Sequence, residues 1–541
     1  MNDMTVSRRG LLLGGAALGL AAAMPLAAQA TPALAQTRLG QLRGLVTPDG
    51  VREYLGVRYA QPPVGPLRFR APQPLAQWRG VVDATAYGNA AVQMQAGAGA
   101  ARYPTGVGAA MAEAFAPPAG LAEGGDEDCL FLNVYTRATR PDGRRRPVMV
   151  WLHGGGFSYG QAASAIYRGH NLAKRHDVVF VGVNHRLNMF GFLPLDTAGL
   201  NGFEGAANAG LLDIVAALRW VRDNAATFGG DPGNVTIFGQ SGGGSKVTHL
   251  MAMPEANGLF HRAIVESGAG LTSETEAEGA DTANRFIAAL GVPREQAPEA
   301  LRTLPVATLL AAARTLGAGE FRPSIDGSHL PRHPFTPDAP AVSAGVPVMV
   351  GFTKDERTLY NVGDPGWGAT TEAELLAAAE AARPGRGQAL VAAFRRAYPD
   401  YTPTYLRMQL EGTLRHLESV TALARVRAAA GQAPTWAFLF AHDLPVQNGI
   451  LKSPHTAEIP YVMDNVAVSP LFAGTRPEDH RVAQIMSATW VRFARTGDPN
   501  NPTIPRWPAW SPDARETMVF DATPEVVTRP LDDVLALLAE K

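Results

Sequence analysis

The chain has a single cysteine, Cys129, among its 541 residues. An intrachain disulfide is therefore excluded, and a buried small apolar side chain is a better interpretation of this thiol than a catalytic group.

Neither sign of charge is in excess, because 48 basic and 49 acidic residues give a net charge of −1. There is thus no basic bias to suggest a nucleic-acid partner, and we expect none. With 46% hydrophobic residues, the composition is typical of a globular protein with ample core. The length would allow several domains, but no linker-like segment divides the chain.

Sequence signals for metals, phosphates and dinucleotides are also missing. No histidine lies in an H-E-x-x-H motif, which argues against a metal-dependent reaction. The glycine-rich residues 239–246 end in Gly-Ser-Lys rather than in the Gly-Lys-Ser or Gly-Lys-Thr of a phosphate-binding loop. No G-x-G-x-x-G run opens a βαβ unit. We therefore expect neither a metal nor a cofactor.

Beyond the N-terminus, no hydrophobic run is long enough to span a membrane. Residues 1–35 differ, since Arg8 and Arg9 precede a Gly/Ala/Leu-rich stretch that ends in small-residue cleavage sites. That order resembles a twin-arginine export signal, with the general secretory route and a lipid-facing helix as alternatives. We expect a signal peptide over 1–35, a folded domain over 36–541, and a periplasmic or secreted protein without stable membrane insertion.

Residues 239–243 read Gly-Gln-Ser-Gly-Gly, which fits the G-x-S-x-G motif. An apolar, β-branched run over 235–238 predicts a strand before the motif, and a helix-compatible segment follows it. In that order of strand, sharp turn and helix, the motif forms a nucleophile elbow that presents a strained serine above a sheet. Ser241 is thus the candidate nucleophile, and an ordinary serine in a glycine-rich turn is the alternative.

A second glycine run, His-Gly-Gly-Gly at residues 153–156, follows a strand predicted over 147–152. Ester cleavage develops negative charge on the carbonyl oxygen, and glycines let backbone N–H groups approach that oxygen without obstruction. An H-G-G-G run upstream of G-x-S-x-G is the arrangement of α/β-hydrolase esterases and lipases. It predicts an oxyanion hole built from the N–H groups of Gly155, Gly156 and Gly242.

These motifs together resemble the type-B carboxylesterase family, which includes bacterial para-nitrobenzyl esterase-like enzymes and the cholinesterases. Similar segments extend over nearly the whole chain and lie at residues 54–69, 127–134, 183–193, 259–268 and 490–510. The resemblance implies an α/β-hydrolase fold, with a large, mostly parallel central sheet, helices on both faces, and helical or loop excursions over the active site. It also implies buried ion pairs between Arg68 and Glu127 and between Arg186 and Asp213.

A serine nucleophile needs a general base and an acid that orients the base. In α/β-hydrolases these residues follow the serine in the order acid, then histidine. The resemblance identifies the acid as Glu356, in a Lys-Asp-Glu segment after a strand predicted over 346–352, with Asp355 as its competitor. It identifies the base as His455, in His-x-x-Glu-Ile, with His442 as the alternative.

Several positions depart from the family pattern. Gln240 replaces the glutamate that is common before the nucleophile, and residues 94–125 contain no tryptophan for contact with a choline cation. Gly242 replaces the usual alanine, and its N–H can still serve the oxyanion. Ala91 stands where the family usually has the partner of the signature cysteine, so 94–125 is expected to be an unclamped, mobile loop.

The predicted function is hydrolysis of neutral, small-molecule carboxylic esters rather than choline esters, through an acyl-enzyme on Ser241. A lipase-like esterase acting on lipid esters would use the same residues. A non-catalytic binding protein on the same fold belongs to a different functional class. The presence of all three triad residues argues against that class.

Overall fold

The computed structural model describes residues 31–94, 103–122, 124–139 and 142–539, so the twin-arginine segment lies outside the described residues. The strands are β1 (Thr31–Gln36), β2 (Gln41–Val46), β3 (Arg52–Arg58), β4 (Val81–Asp83), β5 (Phe131–Thr136), β6 (Arg146–Leu152), β7 (Val179–Val183), β8 (Gly230–Gln240), β9 (Arg262–Glu266), β10 (Val348–Thr353), β11 (Thr435–Phe440), β12 (Thr517–Phe520) and β13 (Glu525–Val527). The α-helices are α1 (Thr105–Phe115), α2 (His170–His176), α3 (Asn188–Gly191), α4 (Ala209–Asn224), α5 (Gly242–Leu250), α6 (Glu276–Leu290), α7 (Ala297–Thr303), α8 (Val306–Leu316), α9 (Thr358–Asn361), α10 (Glu372–Ala382), α11 (Gly387–Ala397), α12 (Pro403–Ala429), α13 (Ile459–Val462), α14 (Pro470–Ala473), α15 (Pro477–Thr496) and α16 (Asp532–Ala539).

The 13 strands form one sheet, ordered β1-β2-β3-β5-β7-β6-β8-β9-β10-β11-β12-β13, and β4 pairs with β2 off this path. From β7 to β12 every neighbouring pair is parallel. Antiparallel pairs extend the sheet on both sides of this centre. The sheet is thus mostly parallel, as the family resemblance predicted.

The central strands are buried on both faces. Every residue of β6, β7 and β10 is buried, and such strands carry continuous apolar runs rather than alternating polar residues. Along β6, Val148 and Val150 pack into one hydrophobic core, whereas Met149 and Trp151 pack into the other. The sheet therefore separates two cores, which the surrounding helices close. On one side, α4 contributes Leu211, among others.

The parallel centre brings the predicted site residues to one edge of the sheet. β6 ends at Leu152, β8 at Gln240, β10 at Thr353 and β11 at Phe440. In parallel sheets, ligands bind beyond the carboxyl ends of the strands. The two glycine runs, the Lys-Asp-Glu segment and the loop that carries the predicted base all follow these strand ends.

Both ion pairs implied by the resemblance are present. Arg68 bonds Glu127 at 2.6 Å, and Arg186 bonds Asp213 at 2.6 Å, with all four side chains at most 10% exposed. Removing one partner of such a pair leaves a buried charge uncompensated, which typically costs about 3–5 kcal/mol of stability. The role of these residues is therefore structural.

The N-terminal half departs from the sequence prediction in two places. The segment 94–125 was predicted to be a loop, but its described part contains α1, with Val107, Ala110 and Ala114 buried. The strand β1 begins at Thr31, before the predicted domain start at residue 36. Ala33 and Ala35 of this strand are buried. In the described part of the chain, no helix is both long and apolar enough to cross a membrane.

Candidate active site

Ser241 occupies the sharp turn between β8 and α5. Its backbone dihedrals, φ 57° and ψ −124°, fall outside the regions that L-residues ordinarily adopt. The turn closes because its N–H donates to the carbonyl of Glu266 at 2.8 Å. Cβ atoms at Gly239 and Gly243 would both collide with the carbonyl oxygen of Leu152. The predicted nucleophile elbow is therefore present, and its flanking glycines are sterically required.

The second glycine run lies directly against this elbow. A Cβ atom at Gly242 would come within 2.7 Å of the nitrogen of Gly156 and 3.3 Å of the nitrogen of Phe157. Gly155 and Gly156 have positive φ angles of 98° and 56°, which glycine adopts without strain. Among the described residues, no hydrogen bond uses the N–H groups of Gly155, Gly156 or Gly242. These three predicted donors are thus gathered beside Ser241 and unengaged.

His455 and Glu356 form a buried, directly bonded pair. Nδ1 of His455 contacts Oε2 of Glu356 in a short hydrogen bond, and Oε1 of Glu356 accepts from the N–H of Thr353 at 2.9 Å. Burial alone would raise the pKa of Glu356, but the imidazoles of His416 and His455 outweigh burial and lower that pKa to about 2. Glu356 is therefore ionised at neutral pH and can orient and stabilise the His455 ring.

Gln240 lies against the same ring. Its Nε2 is 3.3 Å from Nε2 and 3.4 Å from Nδ1 of His455, so the amide lies over the face of the imidazole. The side chain is 1% exposed. Among the described residues, Ser241 Oγ makes no hydrogen bond to His455. In ligand-free enzymes this bond is often formed only once substrate is bound.

The alternative acid and base make other contacts. Asp355 accepts from Tyr401 Oη at 2.9 Å, from Gln409 Nε2 at 2.7 Å and from the N–H of Ser453 at 3.2 Å. It therefore ties the segment after β10 to α12, through Gln409, and to the loop before His455, through Ser453. His442 bonds Asp479 and Asp521 through its two ring nitrogens, at 2.8 and 3.1 Å.

His416, on α12, is a neighbour of the triad that sequence reasoning missed. Its Nε2 lies 3.7 Å from Oε2 of Glu356, and its ring stacks on Phe352. No motif marks this residue, because it reaches the site only through the path of α12. With Glu356 and His455 it places three possible metal-ligand atoms within 4.8 Å of one another. Two of the three, Glu356 and His455, already bond each other, so a metal ion there would have to displace their hydrogen bond.

A second pair of carboxylates is buried behind the elbow. Glu266, at the end of β9, accepts from Trp490 Nε1 at 2.7 Å, and Glu458 accepts from Ser267 Oγ at 3.2 Å. Both side chains are fully buried. Burial raises the pKa of Glu266 to about 8. Burial also raises the pKa of Glu458, and the nearby carboxylates of Glu266 and Glu356 raise it further. Burial thus favours the protonated form of both groups, in contrast to Glu356.

Tyrosines lie at the exposed side of His455. The ring of Tyr360 is 5.3 Å from the His455 ring, and Tyr159 is close enough to influence the ionisation of Tyr360. Tyr360 is 38% exposed and Tyr159 48% exposed, which is unusual for large hydrophobic side chains in this protein. Aromatic faces therefore border the solvent side of the site.

Comparisons with known proteins identify the family of the chain. A family profile described as "Carboxylesterase family" matches residues 31–534. The chain is 34% identical to a para-nitrobenzyl esterase of Bacillus subtilis, with 91% of the chain and 95% of that protein covered. It is 33% identical to a phenmedipham hydrolase of Pseudarthrobacter oxydans, with 93% and 97% covered. A carboxylesterase structure from Geobacillus stearothermophilus superposes with a TM-score of 0.78 at 35% identity, covering 93% of the chain and 99% of that structure.

Proposed function

Because the chain belongs to the carboxylesterase family, and is a carboxylic ester hydrolase, we propose that it cleaves neutral esters through an acyl-enzyme formed on Ser241. One observation carries the assignment. The strained serine, the bonded His455–Glu356 pair and three unengaged N–H groups converge at the carboxyl edge of one sheet. This is the set of groups that acyl transfer to a serine requires.

In the first half of the reaction, Ser241 Oγ attacks the ester carbonyl while Nε2 of His455 takes the serine proton. Glu356 stabilises the imidazolium that forms. The negative charge moves to the former carbonyl oxygen, where Gly155, Gly156 and Gly242 donate their N–H groups. His455 then gives its proton to the leaving alcohol, and the acyl group remains on Ser241.

In the second half, water takes the place of the alcohol. His455 removes a proton from the water as the water attacks the acyl carbonyl, and the same N–H groups hold the second oxyanion. The proton returns to Ser241 Oγ when the carboxylic acid leaves. Each step uses only protons and electron pairs that the enzyme, the ester and water supply.

Neutral esters with an aromatic group are the substrates that the site best accommodates. Gln240 supplies no charge beside the nucleophile, so a choline cation would gain no ion pair at this position. The exposed ring of Tyr360 lies beside His455, and the exposed ring of Tyr159 lies beside Gly155. Both rings can pack on an aromatic group. Relatives named para-nitrobenzyl esterase and phenmedipham hydrolase support this direction.

An ester panel tests the substrate class. Benzyl, para-nitrophenyl and aliphatic esters of equal acyl length, with acetylthiocholine and an uncharged thioester of similar size, are compared by kcat/KM on the wild type and on Ser241→Ala. We expect the aromatic neutral esters to be preferred and Ser241→Ala to be inactive on all of them. A preference for acetylthiocholine would contradict the neutral-ester assignment. A preference for emulsified over dissolved long-chain esters would favour a lipase.

We also propose that the protein is exported to the periplasm or medium. Support comes from Arg8 and Arg9, followed by a Gly/Ala/Leu-rich stretch and small residues before Thr31. Replacing both arginines by lysine keeps the charge but removes the twin-arginine pair. We expect the double variant to stay in the cytoplasm of a bacterial host, as measured by esterase activity in cell fractions. Unchanged export would show that another route is used.

A further inference from the structure

Lys246 is a buried lysine that the proposed mechanism does not use. It lies in α5, five residues after Ser241, and its side chain is 0% exposed. Lysine is rarely found in a protein interior unless it is paired, because burial removes the hydration of its ammonium group. The position of Lys246 therefore requires an explanation.

The contacts of Lys246 are concentrated on the oxyanion loop, defined here as residues 153–157. Its Nζ donates to the carbonyl of His153 at 3.0 Å and lies 5.1 Å from the centroid of the Phe157 ring. Within the described residues no carboxylate lies within 4 Å of Nζ. The ammonium thus touches both ends of the glycine run and has no counter-ion.

The neighbouring rings cannot neutralise this charge. The imidazoles of His153 and His185 stack at 4.7 Å, and both are buried. Burial, together with the charge of Lys246, lowers the pKa of each ring, so both are neutral near pH 7. Burial also lowers the pKa of Lys246, to about 7. A cation at this position is therefore held at a cost, which the His153 carbonyl and the Phe157 ring offset in part and no carboxylate among the described residues offsets.

We propose that Lys246 is a positioning residue for the oxyanion loop. Its Nζ holds the His153 carbonyl just before the glycines, and its positive charge favours negative charge at the N–H groups of Gly155, Gly156 and Gly242. The inference rests on the proposed function, which places the tetrahedral oxyanion at these N–H groups. The negative charge that complements the Lys246 ammonium is then the oxyanion, which forms only during the reaction. A preorganised charge in a dry site is effective because it need not reorganise as the transition state forms.

A purely structural role for Lys246 would lead to a different result. If Lys246 only filled space, an apolar side chain of similar length would serve better, since it would avoid the burial of a charge. Lys246→Met tests this directly. Lys246→Gln is the second variant, because it keeps a polar donor without the charge. Thr248→Val is the matched control, since Thr248 is also fully buried in α5 but bonds the carbonyl of Ser245 within the helix.

The experiment measures kcat, KM, the melting temperature and the inhibition constant of a trifluoromethyl ketone. The ketone adds to the nucleophilic serine and places an oxyanion in the hole. We expect the kcat of both Lys246 variants to fall about tenfold or more. This loss should stay smaller than the loss in kcat that follows deletion of a direct oxyanion donor. The KM should stay within about twofold, because the interaction is made in the transition state. Binding of the ketone should weaken in parallel with kcat, and the melting temperature of Lys246→Met should not fall.

Two results would overturn the inference. One is a kcat in both variants equal to that of the Thr248→Val control. The other is a loss of kcat without any loss of ketone affinity. If Lys246→Met does not fold, Lys246→Gln decides by the same criteria. Failure of the proposed function would be seen separately, because the Ser241→Ala variant would then still hydrolyse esters.

Discussion

Glu356 and Asp355 are consecutive, buried carboxylates with opposite environments. Two imidazoles hold the pKa of Glu356 at about 2, whereas burial raises the pKa of Asp355 to about 6. Glu356→Gln removes the charge that stabilises imidazolium and allows the wrong tautomer of His455, so kcat should fall about a thousandfold or more. Asp355→Asn should keep most of the activity and alter the melting temperature instead, because Asp355 bonds Tyr401 and Gln409. Steady-state kinetics and thermal unfolding of both variants check this, and the reverse order of severity would move the acid to Asp355.

The position of Gln240 over the His455 ring gives a second prediction. In Gln240→Glu, a carboxylate would lie beside the imidazole and favour its protonated form. Because the reaction needs the neutral base, the acid limb of the pH dependence of kcat/KM should move to higher pH. At pH 8, the ratio of kcat/KM for acetylthiocholine over an uncharged thioester should rise modestly, with little dependence on salt because position 240 is buried. An unchanged pH profile would show that the amide does not govern the base.

At the residue scale, motifs that specify a local turn or a chain order led to the candidates Ser241, Glu356 and His455. The structure brings Glu356 and His455 into contact and places Gly156 against Gly242 in the turn of Ser241. Sequence reasoning missed His416 and did not assign a role to Lys246. His416 reaches Glu356 from α12, and Lys246 reaches His153 from α5. Neither contact follows from spacing, because each depends on how a helix packs on the sheet.

At the scale of elements, apolar runs were the reliable signal. The run at 235–238 and the run at 346–352 correspond to β8 and β10, both in the parallel centre. Glycine and alanine content was misleading over 94–125, where the described part contains α1. Small residues permit a helix when its buried face packs closely, and Val107 and Ala110 form such a face. That packing depends on tertiary contacts, which composition does not reveal.

The contact between β9 and α15 predicts a pH-dependent stability. Glu266 accepts from Trp490 and has a pKa raised to about 8 by burial. The folded state therefore binds this proton more tightly than the unfolded state, so its stabilising effect is lost as pH rises from the ordinary carboxyl range through about 8. Glu266→Gln has no such proton. Its melting temperature relative to wild type should be higher at pH 9 than at pH 5, as measured by calorimetry. An equal difference at both pH values would refute the shifted pKa.

At the scale of the whole molecule, the first described strand distinguishes the two proposed cleavage sites. β1 pairs with β2 from Thr31 onward and buries Ala33 and Ala35. Cleavage after Ala35 would remove most of this strand, whereas cleavage after Ala30 would keep it. We expect the exported protein to begin at Thr31, as determined by N-terminal sequencing or intact mass. A mature chain that begins at Gln36 would show that β1 is dispensable.

The identity of the nucleophile is tested most directly by covalent labelling. A fluorophosphonate that inactivates the enzyme reacts with an activated serine and leaves a stable adduct, which peptide mass spectrometry locates. The strained turn after β8, together with the His455–Glu356 pair, predicts one adduct, on Ser241, formed in proportion to the loss of esterase activity. Ser241→Ala should fold, remain unlabelled and hydrolyse no ester. An adduct on a different serine, or labelling of Ser241→Ala with loss of residual activity, would contradict the assignment.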